Sequence, residues 1–236
     1  MTAKPKPRSG FNWLLLLTHL GAWAPLANLA REFFSGKLIV NPIQDLTFGT
    51  GFPAFILLVL TLAVTPVVTL TGWRQLIPLR RWLGLYSFFY ATLHVSIFIF
   101  DNNIDPQLIW DTIIEKRYVL AGLGAFLIML PLALTSTKGW QRRLGRDWKF
   151  LHRGVYFAGL LAVLHFVWLV KSDIREPLTY GAIVALLLIL RLPAVRQKAA
   201  RARESLRRMI TGKPRLAQPV SQPVNNRAPE HVEENV

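Results

Sequence analysis

The chain contains no cysteine in its 236 residues. Disulfides, thiolate metal centres and cysteine nucleophiles are thereby excluded, and any bound metal must rest on His, Met or oxygen ligands. Acidic residues are scarce, 13 Asp and Glu against 28 Lys and Arg, and the long apolar runs hold none of them. Proton- and ion-coupled transporters usually place carboxylates inside their spans, so that class is disfavoured. G-x-S-x-G, H-E-x-x-H, G-x-x-x-x-G-K-[ST] and G-x-G-x-x-G are all missing. The chain therefore carries no signature of a nucleophile-elbow hydrolase, a zincin, a P-loop NTPase or a dinucleotide domain. If reducing equivalents come from a nicotinamide cofactor, another protein must oxidise it.

What is present is apolar and basic. Hydrophobic residues make up 52% of the chain and the net charge is +15. A soluble protein this basic would suggest nucleic acid. Here the charge sits in blocks between apolar runs, which points to a membrane protein and no nucleic-acid partner. A bilayer core of about 30 Å needs roughly 20 apolar residues per helix. Six stretches qualify or nearly so: 12–30, 53–71, 82–100, 118–135, 150–170 and 177–190. The last is short, with Pro177 placed to start it and Arg191 placed to snorkel and extend its reach. Pro25, Pro66 and Pro131 fall inside spans and should kink them. The expected fold is an all-α bundle of six transmembrane helices. Residues 1–11 form an N-terminal tail, 12–192 the bundle, and 193–236 a tail that is first basic and then disordered. No internal repeat is visible.

The first span is longer than the apolar core of a signal peptide, usually about 7–15 residues, and reads as an uncleaved helix. Lys and Arg concentrate in the N-terminal tail, the second and fourth loops and the C-terminal tail. The third loop, DNNIDPQLIWDTIIEKR, has four acids against two bases. That alternation predicts both termini in the cytoplasm. The basic stretch VRQKAARARESLRRM either lies on anionic lipid or simply retains that end inside. Trp82, Trp140, Trp148 and Trp168 fall near span ends, as interfacial anchors do.

Four of the five histidines, His19, His94, His152 and His165, lie in or at the edge of spans; His231 falls in the tail. Each of the four could simply bond a neighbouring helix. Depth favours more for two of them. His94 precedes Asp101 by seven residues and His165 precedes Lys171 by six. At about 1.5 Å per residue both rings sit roughly 10 Å below the outer surface. Two histidines at equal depth on different helices suit a bis-imidazole haem. His152 lies 13 residues before His165, so about 20 Å nearer the cytoplasm and roughly 140° around a continuous helix. The position 13 before His94 is Arg81, so an inner haem lacks an obvious second ligand; His19 is nearer mid-membrane.

Longer stretches carry a resemblance. RRWLGLYSFFYATLHVSIF (80–98), residues 116–173 with LALTSTKGWQRRLGRDWKFLHRGVY at their centre, and EPLTYGAIVALLLILRL (176–192) closely resemble the MsrQ (YedZ) family, as do the shorter THLGAWAP (18–25) and LTLAVTPV (60–67). The resemblance implies a haem b protein of the bacterial inner membrane, within the ferric-reductase-like transmembrane superfamily. It implies a partner, the periplasmic molybdopterin enzyme MsrP, which reduces methionine sulfoxide in oxidised proteins. Electrons would come from the quinone pool or a soluble flavin reductase. It implies haem iron ligands at His94, His152 and His165, with His19 matching a histidine of the family's first span. Family members are also described as binding FMN. Arg142 and Arg143, in the fourth loop with Lys149, suit its phosphate, although they equally serve as topology determinants. The expected role is a membrane electron-transfer subunit whose substrate chemistry lies in its partner. The alternatives are a stand-alone quinol- or metal-oxidoreductase of the ferric reductase type, or a non-redox scaffold.

Overall fold

A computed structural model describes residues 13–36, 41–170 and 173–211. Among these residues the secondary structure is helical, with no strand. The helices are α1 (Trp13–Phe34), α2 (Pro42–Thr71), α3 (Leu79–Asp101), α4 (Pro106–Glu115), α5 (Arg117–Leu134), α6 (Lys138–Leu151), α7 (Gly154–Leu169), α8 (Arg175–Ile189) and α9 (Pro193–Thr211). Four are long and apolar enough to cross a membrane alone: α1, α2, α5 and the run ending with α3. The bent pairs α6–α7 and α8–α9 raise the number to six if each pair is one span. The all-α membrane bundle expected from the sequence is therefore the fold. His231 and the segment beyond Thr211 lie outside the described residues.

Boundaries differ where caps decide them. The second span begins not at residue 53 but at Pro42, because the Asn41 side chain accepts from the Gln44 N–H and Pro42 takes the first turn, where its missing N–H costs nothing. The same device, Asp105 followed by Pro106, starts α4 inside the third loop. The fourth loop is also helical: α6 is capped by Thr137 and meets α7 at a 48° bend. His152 sits in that bend, so it is not on the helix of His165. The angular spacing derived for one continuous helix does not apply.

Three groups of buried apolar side chains hold the bundle, and α2 contributes to each: Ala54 and Leu57 pack with Ala22 and Tyr90, Phe55, Val59 and Leu62 with Val184, and Leu58 with Met129 and Ala158. Small residues let helices approach closely; Ala158 is fully buried. Outward-facing Leu17, Leu120, Leu127 and Phe157 are more than half exposed, as lipid contact requires.

Several polar groups inside the bundle are satisfied across helices. The fully buried Tyr90 hydroxyl donates to the Ala22 carbonyl at 2.7 Å and accepts from the Leu26 N–H at 3.1 Å. It thus bridges a broken rung of α1 beside Pro25. Ser87 donates to the Ala54 carbonyl at 2.7 Å. Arg191 does not snorkel outward. Its guanidinium turns inward to the Leu62 carbonyl at 2.6 Å and the Tyr156 hydroxyl at 3.0 Å. Trp148 and Trp82 also face inward, Trp148 donating to the Thr135 carbonyl at 2.9 Å and Trp82 packing edge-on against His19.

Candidate functional site

α2, α3, α5 and α7, with Thr112 and Ile113 of α4, line an open cavity of about 500 Å³ to which both His94 and His165 contribute. That volume falls in the range of small-molecule and cofactor sites, roughly 300–1,000 Å³. The walls are mostly apolar, with Phe55, Phe126 and Phe166 among them, and the cavity also reaches Asn41, Gln44 and Lys116. Apolar walls with a few polar groups suit a flat macrocycle bearing acidic substituents.

His94 on α3 and His165 on α7 meet here. Their ring centres are 6.1 Å apart and their planes are nearly perpendicular, at 89°. A metal ion about 2 Å from one nitrogen of each ring would set the centres roughly 6 Å apart, so His94 and His165 are spaced to hold one metal between them. The opposite nitrogens are fixed. His94 Nδ1 bonds the Thr47 carbonyl at 3.0 Å, and His165 Nδ1 bonds the Tyr118 carbonyl at 2.6 Å. A carbonyl only accepts, so each Nδ1 carries the proton and each neutral ring keeps its lone pair on Nε2. Metal-bound histidines are held in this way by a second partner on the far nitrogen.

The other histidines stand apart. His152 stacks on Trp148, with centres 3.9 Å apart, and its Nδ1 bonds the Trp148 carbonyl at 3.1 Å. Its Nε2 is buried and makes no well-formed hydrogen bond, although the Leu132 backbone lies within reach of the ring; Arg191 Nε is also buried without a partner. Arg80 lies within electrostatic reach of both residues. A buried imidazole nitrogen without a well-formed hydrogen bond is costly and fits a ligand position. His19 bonds the Tyr86 hydroxyl at 2.9 Å and does not line the cavity. Arg142 and Arg143 are exposed on α6, with Arg143 over the Trp140 ring; neither lines the cavity of His94 and His165. Among the described residues no group of three or more His, Asp or Glu could hold a metal ion. Thr47 and Tyr118 act on the two imidazoles through their carbonyls, which leave no mark in a sequence, and the Tyr118 ring also lies 6.0 Å from that of His165.

The profile described as "Ferric reductase like transmembrane component" matches residues 50–163. Among the relatives named "Protein-methionine-sulfoxide reductase heme-binding subunit MsrQ" are the following three. The one from Xanthomonas axonopodis pv. citri is 46% identical over 182 residues, 73% of this chain and 82% of that protein. The one from Xanthomonas oryzae pv. oryzae is 44% identical over 200 residues, 79% and 90%. The one from Herminiimonas arsenicoxydans is 38% identical over 196 residues, 81% and 89%. No solved structure matches the chain.

Proposed function

The chain belongs to the MsrQ family of ferric-reductase-like transmembrane proteins, and from that premise we propose that it binds haem b between His94 and His165 and serves as a membrane electron-transfer subunit. It draws electrons from the quinone pool or a cytoplasmic flavin reductase. It delivers them to MsrP, the periplasmic molybdopterin enzyme that reduces methionine sulfoxide. The site lies in the inner membrane, and substrate reduction belongs to the partner.

The observation that carries the reading is the 6.1 Å pair of imidazoles in an apolar cavity, each with its Nδ1 held by a backbone carbonyl. Bound there, haem would supply reversible one-electron chemistry at its iron. The residues supply the rest. His94 and His165 present Nε2 as ligands, and their carbonyl bonds hold the rings in one tautomer. Phe55, Phe126 and Phe166 keep water from the centre, which influences its potential. Lys116, with Asn41 and Gln44, offers acidic substituents a cation and hydrogen-bonding groups, and Asp101 lines the same cavity. His152, whose Nε2 makes no well-formed hydrogen bond, is the candidate ligand of a second haem, and His19 is a weaker one because Tyr86 already engages it. FMN held by Arg142 and Arg143 remains part of the proposal, resting on their charge alone.

The test is spectroscopic. Purified protein should show a b-type absorption spectrum that His94→Ala and His165→Ala each abolish at the outer site. The reduced protein, mixed with MsrP, should be reoxidised when methionine sulfoxide is added. A colourless wild type sinks the haem reading. A coloured protein that methionine sulfoxide does not reoxidise sinks the partner and favours a stand-alone metal- or quinol-oxidoreductase.

A further inference from the structure

The two facing histidines are seated by the same device. His94 bonds the carbonyl of Thr47, 47 residues earlier, and His165 bonds the carbonyl of Tyr118, also 47 residues earlier. In each case the residue four places after that carbonyl is glycine, Gly51 on α2 and Gly122 on α5. Four residues is one helical turn, so the glycine lies on the same face as the carbonyl. A Cβ at Gly51 would lie 2.9 Å from both Cε1 and Nδ1 of His94. A Cβ at Gly122 would lie 2.6 Å from Nδ1 and 2.9 Å from Cε1 of His165. The set 47, 51, 94 thus recurs as 118, 122, 165. The repeat is invisible as sequence similarity and appears only in the register of α2 against α3 and of α5 against α7.

Resting on the haem reading above, we propose that Gly51 and Gly122 are positioning residues for the two iron ligands. Each provides a bare patch of helix on which an imidazole lies while its Nδ1–H reaches the carbonyl one turn earlier, leaving Nε2 free for iron. A methyl group there cannot be absorbed by a flexible side-chain end. It meets the ring itself, which is tied at Nδ1, so the ring must move and its ligating nitrogen with it. Other glycines on the same helices differ. A Cβ at Gly49 would meet only the flexible side chain of Leu29, and one at Gly124 only Leu161 Cδ1 at 3.3 Å.

The experiment compares Gly51→Ala and Gly122→Ala with the controls Gly49→Ala and Gly124→Ala, using full-length protein purified from membranes. The readouts are haem retained per chain and the low-spin iron resonance. Supporting partners of metal ligands are typically worth about 10–100-fold in affinity. The test variants should lose haem on dilution by that factor and show altered resonance positions in what remains, while the controls match wild type. Electron–nuclear double resonance of oxidised wild type in H2O and D2O should find an exchangeable Nδ1 proton on both ligands, which checks the cradle even if a variant does not fold. Unchanged haem retention and resonances in the test variants overturn the proposal, as do equal losses in the controls or the absence of those protons. A colourless wild type overturns this inference together with the haem reading; a coloured one with indifferent glycines overturns the cradle alone.

Discussion

Arg191 donates from Nη2 to the carbonyl of Leu62 at 2.6 Å, joining the end of α8 to the middle of α2. The bond answers a defect written into α2. Pro66 has no N–H, so the carbonyl four residues earlier, that of Leu62, loses its helical donor. Inside a membrane such a group has no water to turn to. Arg191 supplies the donor, and its guanidinium lies 5.0 Å from the centre of the Tyr156 ring. Arg191→Leu should therefore lower stability by about 1–3 kcal/mol through the unpaired carbonyl alone. Thermal unfolding of purified protein checks this; an unchanged midpoint would mean that Leu62 finds another donor.

Tyr90 ties α3 to α1 in a different way, its hydroxyl entering the rung between the Ala22 carbonyl and the Leu26 N–H next to Pro25. The residue is fully buried. Tyr90→Phe keeps the packing and removes both bonds. The expected loss is again about 1–3 kcal/mol, with haem content unchanged because Tyr90 does not line the cavity. Loss of haem in this variant would show that the α1–α3 contact reaches the site.

Hydropathy made the spans legible, and depth counting made the His94–His165 pairing legible, because helical rise converts residue number directly into height. Counting fails at bends. The break at His152 and Arg153 separates α6 from α7, and nothing in the local apolar pattern announces it. The early starts of α2 and α4 were readable in principle from Asn41–Pro42 and Asp105–Pro106. The inward turn of Arg191 was not, since its partner carbonyl lies 129 residues away. Nor were Gly51 and Gly122, whose role depends on which ring lies against them.

The alternating distribution of Lys and Arg yields a topology prediction. Reporter fusions in the α5–α6 connection and at the C-terminus should behave as cytoplasmic, and a fusion after Asn103 as periplasmic. The histidine pair then lies toward the periplasm, on the side of the proposed electron acceptor. A periplasmic C-terminus would invert the membrane and place the pair on the donor side.

His152 is the residue whose environment asks for a ligand. Its ring is held on both sides of the question: Trp148 stacks on it and the Trp148 carbonyl fixes Nδ1, while Nε2 stays buried without a well-formed hydrogen bond. His94 is the only histidine of α3. The histidine pairing at the outer level is thus not repeated at the inner level, and an inner haem would need a different second ligand or leave a coordination position open. His152→Ala should remove part of the bound haem and leave the signal of the His94–His165 pair intact. Haem stoichiometry and low-spin resonances of the variant against wild type decide it. Unchanged stoichiometry would make His152 a structural residue, and loss of every signal would make the two levels a single cooperative site.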